Sequence, residues 1–577
     1  MASFRDIRRF SLLTPDEGAK YFDISGNTAN DLSVDMIAES ISKNTTEKGA
    51  IKKILLAMPV EEDVISYRRE IYNELRDNEE LCEQLYYIFD GMRFYTQDKP
   101  MSVGGTSTVW ELLTHLRTLE NYSISVMKLK EAIGDIQFKS RGLNRFAEYV
   151  NEIYSSSGFD EFMEDVKIVS EELTKVRSLT LGVNLNRDYY PEEVGIISLN
   201  SYWFDEQSVL KNFMKFHRND RINYDKDLMP FSMEMHYDSG KIFRNFALIQ
   251  AIGNAMNTSQ DGVVQLQNTV NRAAASQTAP ESPLMQNLNS IIEKMLPSIT
   301  QKLRKTVDKY MDVSGRALAQ LADEMLFYLR FAELERQIKA SGMPTCMGEN
   351  SADDTVFHDI YNVKLAILRI QGSIKDDIIC NDVDFTKEKT VQILTGPNRG
   401  GKTVITQAIG LAFLLYQSGV FVPAAEAHIR ACDGIYTHFP VEEERTVTLG
   451  RLGEEAERFN RICKTAGGDS LILFNESFAT TSHAESLYIA EDVLKYLCCI
   501  GSRTIFNTHM HELAEEADKF GQTEGAVCGA VSVVMENENG IRSYKISYKR
   551  PDGKSYAHEI AYKYGITFEQ LKEKRST

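Results

Sequence analysis

The sequence has 577 residues, which at roughly 100–200 residues per domain suggests three or four structural units. Apolar residues make up 43% and charged residues 26%, and this near-average composition excludes wholesale disorder. The 65 basic and 83 acidic residues give a net charge of −18. A molecule of this charge repels phosphate, so any nucleic-acid surface must be a local basic patch.

Membrane insertion and secretion are disfavoured by the sequence. The longest apolar stretches, such as Ile409–Tyr416, are far shorter than the roughly 18–20 residues of a membrane helix. The N-terminal residues MASFRDIRRF contain no apolar signal segment. The eight cysteines form no CxxC pair and are too sparse for a disulfide scaffold. We therefore expect a soluble protein of the reducing cytoplasm with no membrane partner.

Residues 1–345 are predicted to be mostly helical. Leu81, Leu85, Ile88 and Met92 recur at helical spacing, and a long helix is predicted over 314–340. Alternating apolar positions near 179–202 indicate two strands that form a possible β-hairpin. Residues 254–289 are rich in Gln, Asn, Ser and Ala, which is compatible with a polar exposed helix or with a mobile connector.

Residues 346–577 show a different pattern, and the boundary is predicted near Pro344–Asp354. Short apolar runs alternate with helical patterns, which predicts a parallel sheet flanked by helices. Farther on, Asn539-Gly540 separates two apolar runs and indicates a hairpin. The predicted fold class is therefore mixed, a mostly α-helical region followed by an α/β domain. The apolar runs of the predicted sheet are Val391–Leu394, Leu471–Phe474 and Thr504–Asn507.

A phosphate-binding loop is the strongest motif in the sequence. Residues 396–403 fit the pattern GxxxxGK[ST] and lie between a predicted strand and a predicted amphipathic helix. Glycines let backbone N–H groups converge on phosphate oxygens, and the helix N-terminus favours the anion. Lys402 would contact the β- and γ-phosphates, and Thr403 would bind Mg²⁺. The motif predicts ATP or GTP binding by Gly396, Pro397, Asn398, Gly400, Gly401, Lys402 and Thr403.

Three segments, in order and spacing, resemble the ATPase domain of the MutS family. They are TGPNRGGKTVITQAIGL, LILFNESFATTSHAESLYIA and TIFNTHMHEL, and SYAHEIAYKYGI resembles the segment that closes that domain. The phosphate loop looks closer to the recombination-suppressing branch than to the mismatch-reading one. A weaker resemblance to the core and lever helices of the family extends over the helical region. The resemblance implies a P-loop ATPase of the ABC type that dimerises and uses ATP and Mg²⁺ to clamp DNA.

Candidate catalytic positions follow from the resemblance and from strand-end chemistry. Glu476 follows the second apolar run, at a strand end where a carboxylate polarises the attacking water. The family has Asp where this sequence has Asn475, so Mg²⁺ ordering by Asn475 and Thr403 would be weaker and turnover slower. His509 matches the switch histidine of the family, which senses the γ-phosphate. Gly450 lies where the signature segment closes the nucleotide site of a partner chain, with an ordinary turn before a helix as the alternative.

The DNA-contacting surface is less defined by the sequence. The lever-like helices are predicted to begin within the first 30 residues, so we expect the mismatch-reading domain of the family to be absent. DNA contact would then depend on the helical arms, where basic residues cluster twice. Such clusters contact phosphates or are simply solvated faces. The first cluster contains Lys211, Lys215, His217, Arg218 and Arg221, and the second contains Lys302, Arg304, Lys305 and Lys309.

The sequence thus predicts a MutS-like homodimer that clamps mismatched, branched or otherwise distorted DNA in an ATP-driven cycle. This hypothesis would place the protein in DNA mismatch repair or in recombination. Two other hypotheses stay open at this stage. One is an ATPase that acts on structured RNA or ribosomes, and the other is a non-catalytic scaffold that ATP locks as a dimer.

Overall fold

Two compact units of the chain are defined by contacts between residues. The first comprises Met1–Ile7, Phe94–Met127 and Glu152–Arg316, and the second comprises Arg8–Arg93, Lys128–Asn151 and Ala317–Thr577. The predicted phosphate loop belongs to the second unit, while the predicted boundary between residues 345 and 346 stays a prediction. The computed structural model describes residues 10–16, 18–93, 108–134, 136–156, 158–173, 178–200, 296–310, 316–397, 399–440, 451–478, 482–538, 541–551 and 567–576. No helix within these ranges is long and apolar enough to span a bilayer.

The second unit begins with a short strand pair and a series of helices. Strand β1 (Tyr21–Asp23) pairs antiparallel with β2 (Ala57–Pro59). The helices are α1 (Gly26–Asp31), α2 (Val34–Ile41), α3 (Thr45–Leu56), α4 (Glu62–Arg76) and α5 (Glu79–Arg93). The side chains of Ser25 and Asn44 accept hydrogen bonds from backbone N–H groups and so cap α1 and α3. The predicted helical face Leu81, Leu85, Ile88 and Met92 is the buried face of α5.

The middle of the chain contains further helices and one antiparallel strand pair. The elements are α6 (Val109–Ile133), α7 (Arg141–Tyr154), α8 (Phe159–Leu173), β3 (Ser178–Leu185), β4 (Pro191–Asn200) and α9 (Pro297–Lys309). Strands β3 and β4 pair antiparallel where alternating residues indicate two strands. In the turn between them, Asn186 Oδ1 accepts hydrogen bonds from the backbone N–H groups of Asp188 and Tyr190, both at 2.9 Å. The connector or exposed helix expected at 254–289 lies outside the described residues.

Helix α10 (Arg316–Ala340) is the long helix predicted from the sequence, and it is anchored to the N-terminal helices. Tyr72 on α4 donates a hydrogen bond to Glu335 Oε2 at 2.7 Å. Arg330 Nε donates to Glu47 Oε1 on α3 at 2.7 Å, and both side chains are buried. In each pair, the hydrogen bond offsets the cost of burying a charged side chain. The predicted apolar positions on this helix are buried, namely Leu318, Leu321, Met325, Leu329 and Ala332.

Two sheets form the α/β part of the second unit. The smaller sheet has the strand order β5-β9-β6-β7, built from β5 (Glu349–Asn350), β6 (Thr355–Ile360), β7 (Asn381–Phe385) and β9 (Glu426–Ile429). The larger sheet has the order β10-β11-β12-β8-β13-β14. Its strands are β8 (Val391–Thr395), β10 (Ile435–His438), β11 (Leu471–Asn475), β12 (Arg503–Asn507), β13 (Ala530–Glu538) and β14 (Ile541–Ser547).

The predicted parallel sheet is present in the larger sheet, where strands β10, β11, β12, β8 and β13 run parallel. Strand β14 pairs antiparallel with β13, and the Asn539-Gly540 turn predicted between them lies outside the described residues. Every residue of β8, β11 and β12 is buried, as expected for a parallel sheet covered on both faces. The carboxyl ends of these three neighbouring strands therefore meet at one edge of the sheet, where ligands bind in open α/β sheets.

Helices separate the strands of the larger sheet. Helix α14 (His483–Ile500) buries Val493, Leu494 and Leu497 in a core that also contains Ile393 and Phe474 of the sheet. It begins after Ser482, whose side chain caps it, and ends at Gly501, whose φ of 74° suits glycine. The helices of this part are α11 (Val363–Ile370), α12 (Lys402–Gln417), α13 (Arg451–Cys463), α14 (His483–Ile500), α15 (His511–Glu515), α16 (Ala517–Phe520) and α17 (Phe568–Ser576).

Candidate nucleotide-binding site

The predicted phosphate loop connects β8 to α12. Gly396 has a φ of 144°, and a Cβ at this position would lie 2.6 Å from Met535 Cβ. Gly401 has a φ of 96° and is the N-cap residue of α12. Both positions therefore require glycine because a side chain would be strained or would clash. Pro397 and Gly400 lie in the same loop, where Gly400 N–H donates to Pro397 O at 3.1 Å, whereas Asn398 lies outside the described residues.

Lys402, the first residue of α12, is buried beneath this loop. Its Nζ atom donates hydrogen bonds to the carbonyl oxygens of Gly396 at 3.1 Å and Pro397 at 3.3 Å. Burial lowers the pKa of the Lys402 ammonium, and the nearby carboxylate of Glu476 partly opposes that effect. The ammonium group therefore lies on the inner side of the loop, where backbone oxygens replace part of its hydration.

Asn475, Thr403 and Asn507 form a hydrogen-bonded group at the ends of β11 and β12. Thr403 Oγ1 donates to Asn475 Oδ1 at 2.8 Å, and Asn507 Nδ2 donates to the same oxygen at 2.6 Å. The structure thus brings together the two residues predicted to order a metal. Asn507 was not predicted as a site residue, although the predicted strand Thr504–Asn507 ends at it. In the sheet it pairs in register with Asn475. Within the described part of the chain, Asn507 Oδ1 is buried and has no hydrogen-bond partner.

Glu476 and His509 are in direct contact beside this group. His509 Nε2 lies 2.7 Å from Glu476 Oε1, and both side chains are 41% exposed. The hydrogen bond to His509 lowers the pKa of the Glu476 carboxyl, and partial burial opposes that shift. Glu476 therefore stays ionised at neutral pH. A carboxylate and an imidazole at this distance can together orient a water molecule and hold its proton.

A cavity of about 420 Å³ adjoins the phosphate loop. Lys402, Thr403 and Glu476 contribute polar groups to its lining. The lining also includes side chains from distant parts of the sequence, among them Tyr361, Ile379, Met535 and Tyr544. Sequence reasoning missed these four residues because no motif or periodicity connects them. A small cleft with an apolar wall and a few converging polar groups is typical of a ligand site.

The oxygen donors at the strand ends suit a hard cation. Thr403 Oγ1, Asn475 Oδ1 and the Glu476 carboxylate lie around the mouth of the phosphate loop, and oxygen is the ligand that Mg²⁺ prefers. Among the described residues, no group of three or more His, Cys, Asp and Glu could hold a metal by itself. The donors therefore fit Mg²⁺ bound together with nucleotide phosphates, whose oxygens would complete its ligands.

Of the two predicted basic clusters and the predicted signature residue Gly450, the structure describes only the cluster Lys302–Lys309. Lys302 pairs with Glu172 at 2.6 Å, and Lys309 pairs with Glu161 at 2.7 Å and with Asp165 at 2.6 Å. Acidic partners from α8 thus offset two of the four cations in this cluster, which weakens its attraction for phosphate. The cluster from Lys211 to Arg221 and the residue Gly450 lie outside the described residues, although α13 begins at Arg451 directly after Gly450.

The parallel sheet, the glycine loop that precedes α12 and the strand-end polar residues define a P-loop nucleotide-binding domain. Residues 392–575 match the family described as MutS domain V, and residues 60–341 match the MutS2 N-terminal domain. Together these matches cover most of the sequence. The chain belongs to the MutS family, which confirms the resemblance seen in the motifs.

Curated relatives agree with this assignment. The DNA mismatch repair protein MutS of Leuconostoc mesenteroides is 26% identical over 326 residues, which cover 56% of this chain and 35% of the relative. Endonuclease MutS2 of Geobacillus sp. (strain WCH70) is 24% identical over 475 residues, covering 81% of this chain and 54% of the relative. A Clostridium kluyveri MutS is 32% identical over 203 residues, covering 34% and 23% respectively. The matched part of the chain thus spans at most 54% of the length of these relatives.

Proposed function

We propose that this chain binds ATP at the loop of residues 396–403 and hydrolyses it in the presence of Mg²⁺. One observation carries the proposal. The phosphate loop, the Thr403–Asn475 pair and the Glu476–His509 pair converge at the carboxyl ends of three neighbouring parallel strands. Members of the MutS family are ATPases, which supports the same activity. The predicted roles of the individual residues remain part of the proposal.

Each residue has a distinct role in the proposed reaction. Lys402 turns from the loop carbonyls toward the β- and γ-phosphates, where its charge offsets theirs. Glu476 accepts a proton from the attacking water, and His509 keeps the Glu476 carboxylate oriented and contacts the γ-phosphate. Thr403 and Asn475 would hold Mg²⁺, which would supply positive charge to offset the negative charge of the reacting phosphates. The apolar wall formed by Ile379, Met535 and Tyr544 accommodates the base.

The proposed active unit is a homodimer. Gly450 directly precedes α13, and a helix N-terminus that faces the γ-phosphate of a partner chain would complete the partner's site. In this arrangement ATP binding closes the two domains and hydrolysis reopens them. Residues 1–345 would form the core and lever helices, and residues 346–577 would form the ATPase domain. We place the protein in the cytoplasm and propose no membrane partner.

The proposed target is DNA that is mismatched, branched or otherwise distorted. The relatives are named for mismatch repair and for endonuclease MutS2, which supports a role in DNA repair or recombination. Recognition would rest on the shape of the DNA, because an acidic chain offers few phosphate-binding cations. We expect weak binding to linear duplex and a steep loss of affinity with salt. Equal affinity at low and high salt would contradict binding through phosphates.

Steady-state phosphate release, measured alone and with linear DNA, branched DNA or structured RNA, tests the proposal. We expect wild-type turnover that branched DNA stimulates more than linear DNA. Stimulation by structured RNA alone would favour an ATPase that acts on RNA or ribosomes. A second candidate function is a scaffold that ATP locks as a dimer without turnover. The amide of Asn475 favours this candidate because an amide holds Mg²⁺ less strongly than a carboxylate. ATP-dependent dimerisation without phosphate release would support that candidate and contradict the proposed enzyme.

A further inference from the structure

The turn that follows Glu476 has an unusual backbone conformation. Glu476 has a φ of 51° and Phe478 a φ of 61°, so two of three consecutive residues lie in the left-handed region. Neither is a glycine, and a side chain makes this conformation unfavourable. Such strain persists only where surrounding contacts hold it, and it concentrates at functional sites. The contacts around this turn therefore determine where the Glu476 carboxylate points.

One of these contacts comes from helix α13. The carboxylate of Glu455 accepts a hydrogen bond from the backbone N–H of Phe478. On the other side of the turn, the backbone N–H of Glu476 donates to Asn507 O at 2.9 Å. The turn is thus held at both ends, by a strand of the sheet and by a side chain of α13. The Glu455 carboxylate also compensates the buried backbone donor, which would otherwise lose a partner.

The second contact comes from His438, the last residue of β10. Its ring stacks on Phe478, with ring centres 5.2 Å apart and an interplanar angle of 25°. Its Nδ1 atom lies 2.7 Å from the buried Ser477 hydroxyl, and its Nε2 atom lies 3.0 Å from Glu455 O. Burial lowers the pKa of His438 to about 4, so the ring is neutral near pH 7.

The tautomer of His438 follows from these partners. A backbone carbonyl can only accept, so Nε2 carries the proton and donates it to Glu455 O. Nδ1 is then an acceptor that faces the Ser477 hydroxyl. That hydroxyl also lies 2.6 Å from the carbonyl oxygen of His438, so its single proton serves one of these two acceptors. Both ring nitrogens therefore have a polar neighbour. The neighbour of Nε2 is Glu455, the residue of α13 whose carboxylate also holds Phe478.

Arg458 fixes α13 to the same strand end. This residue lies three positions after Glu455, so both side chains leave the helix on neighbouring positions. Its guanidinium donates to Phe439 O at 2.9 Å and to Thr437 O at 3.1 Å, the carbonyls on either side of His438. It also contacts Asp31 Oδ2 at 2.9 Å. Helix α13 is therefore positioned independently of its contact with the turn.

We propose that Glu455 and His438 are positioning residues that set the direction of the Glu476 carboxylate through the turn of residues 476–478. The proposal rests on the proposed ATP hydrolysis and deepens it. Helix α13 begins directly after Gly450, so any displacement of α13 reaches the catalytic carboxylate of the same chain through Glu455. Neither residue lines the cavity beside the phosphate loop, and the proposed effect is exerted through the backbone of the turn.

Steady-state ATP hydrolysis by Glu455→Ala, Glu455→Gln and Glu457→Gln tests this role. Misplacement of a reacting group by about 1 Å can reduce a rate roughly 100-fold, so we expect kcat of Glu455→Ala to fall about 10- to 100-fold. KM for ATP should change less than about twofold, because the phosphate loop is intact. The Gln amide oxygen still accepts from Phe478 N–H and should restore most of the turnover. Glu457 is exposed on the same helix and serves as the matched control.

Unchanged kcat in Glu455→Ala, or an equal fall in Glu455→Gln, would overturn the proposal. Hydrogen exchange of the Phe478 amide without nucleotide supplies a readout that does not depend on turnover. We expect exchange to accelerate in Glu455→Ala and to stay slow in wild type and in Glu455→Gln. If wild type releases no phosphate, the proposed hydrolysis is wrong, and this exchange comparison still decides whether Glu455 holds the turn.

A milder variant covers the case in which Glu455→Ala does not fold. Ser477→Ala removes the hydroxyl that contacts both Nδ1 and the carbonyl oxygen of His438, and it leaves the stacked rings in place. We expect a kcat several-fold below that of wild type and faster exchange at Phe478. Wild-type values for both quantities in Ser477→Ala would overturn the role of His438.

Discussion

Asn475 Oδ1 accepts the Thr403 hydroxyl hydrogen bond at 2.8 Å, which places an uncharged amide where the motif resemblance predicts a carboxylate. The same oxygen accepts from Asn507 Nδ2 at 2.6 Å. An aspartate could accept both hydrogen bonds without rearrangement, since a carboxylate has acceptor capacity on two oxygens. Aspartate at position 475 would therefore keep both hydrogen bonds and would change mainly the charge of the site.

Restoring that charge with Asn475→Asp should raise ATP turnover. A carboxylate attracts Mg²⁺ more strongly than an amide, and phosphoryl transfer depends on a well-held metal. We expect an increase between about threefold and about tenfold, which corresponds to roughly 1 kcal/mol of barrier. Phosphate release at saturating Mg²⁺ measures it, with Asn460→Asp on the exposed side of α13 as the control. Turnover at or below the wild-type rate in Asn475→Asp would show that the amide is not limiting.

Glu476→Gln should bind ATP but release almost no phosphate. The Gln side chain can still bond to His509, while it can no longer accept the proton of the attacking water. General-base catalysis typically contributes about 10²–10⁴-fold, and we expect a loss in that range. Analysis of the bound nucleotide after quenching at set times should find intact ATP in a long-lived dimer. Glu515→Gln, an exposed position on α15, is the control, and wild-type turnover in Glu476→Gln would exclude Glu476 as the catalytic base.

Lys402→Ala should abolish ATP binding while the fold survives. Removal of the ammonium eliminates the charge contact with the β- and γ-phosphates. Burial lowers the pKa of the Lys402 ammonium, which means that its charged form is unfavourable in the folded protein. We therefore expect Lys402→Ala to cause no loss of thermal stability without nucleotide. Sedimentation with and without ATP measures the dimer, and Lys495→Ala on α14 is the surface control. An unchanged ATP-dependent dimer in Lys402→Ala would contradict the phosphate-loop assignment.

The strands at the site were predictable because their sequence patterns are local. The residues that contact them from distant parts of the chain were not predictable. Apolar runs that alternate with helical patterns indicate β8, β11 and β12, and the glycine spacing indicates the loop before α12. Asn507 bonds to Asn475 across 32 positions, a contact that only the sheet order creates. His438 and Glu455 likewise look ordinary in the sequence. The acidic partners of Lys302 and Lys309 lie more than 100 positions away, so the sequence shows a basic cluster but not the pairing of these two lysines.

Tyr544 is a further residue that only the fold brings to the site. It lies on β14, lines the cavity beside the phosphate loop and is 42% exposed. Stacking of a base on an aromatic ring contributes roughly 1–3 kcal/mol, so we expect Tyr544→Ala to raise the Kd for ATP by about 5- to 150-fold. The kcat at saturating ATP should change little, because in the proposed pose the ring contacts the base and not the γ-phosphate. Tyr488→Ala, an exposed position on α14, is the control, and an unchanged Kd in Tyr544→Ala would remove this ring from the base site.

Buried His438 should make the stability of the second unit depend on pH. Burial lowers the pKa of His438 to about 4, whereas the unfolded chain has the ordinary value near 6.5. Between these values the unfolded state binds the proton and the folded state does not, so stability is complete above pH 6.5 and decreases as the pH falls. The loss attributable to this ring should reach about 2 kcal/mol at pH 5. Urea unfolding of wild type and His438→Gln at pH 7.5 and pH 5 measures it. The free energy of unfolding should fall less in the variant, and an equal fall in both proteins would show that His438 does not titrate as a buried neutral ring.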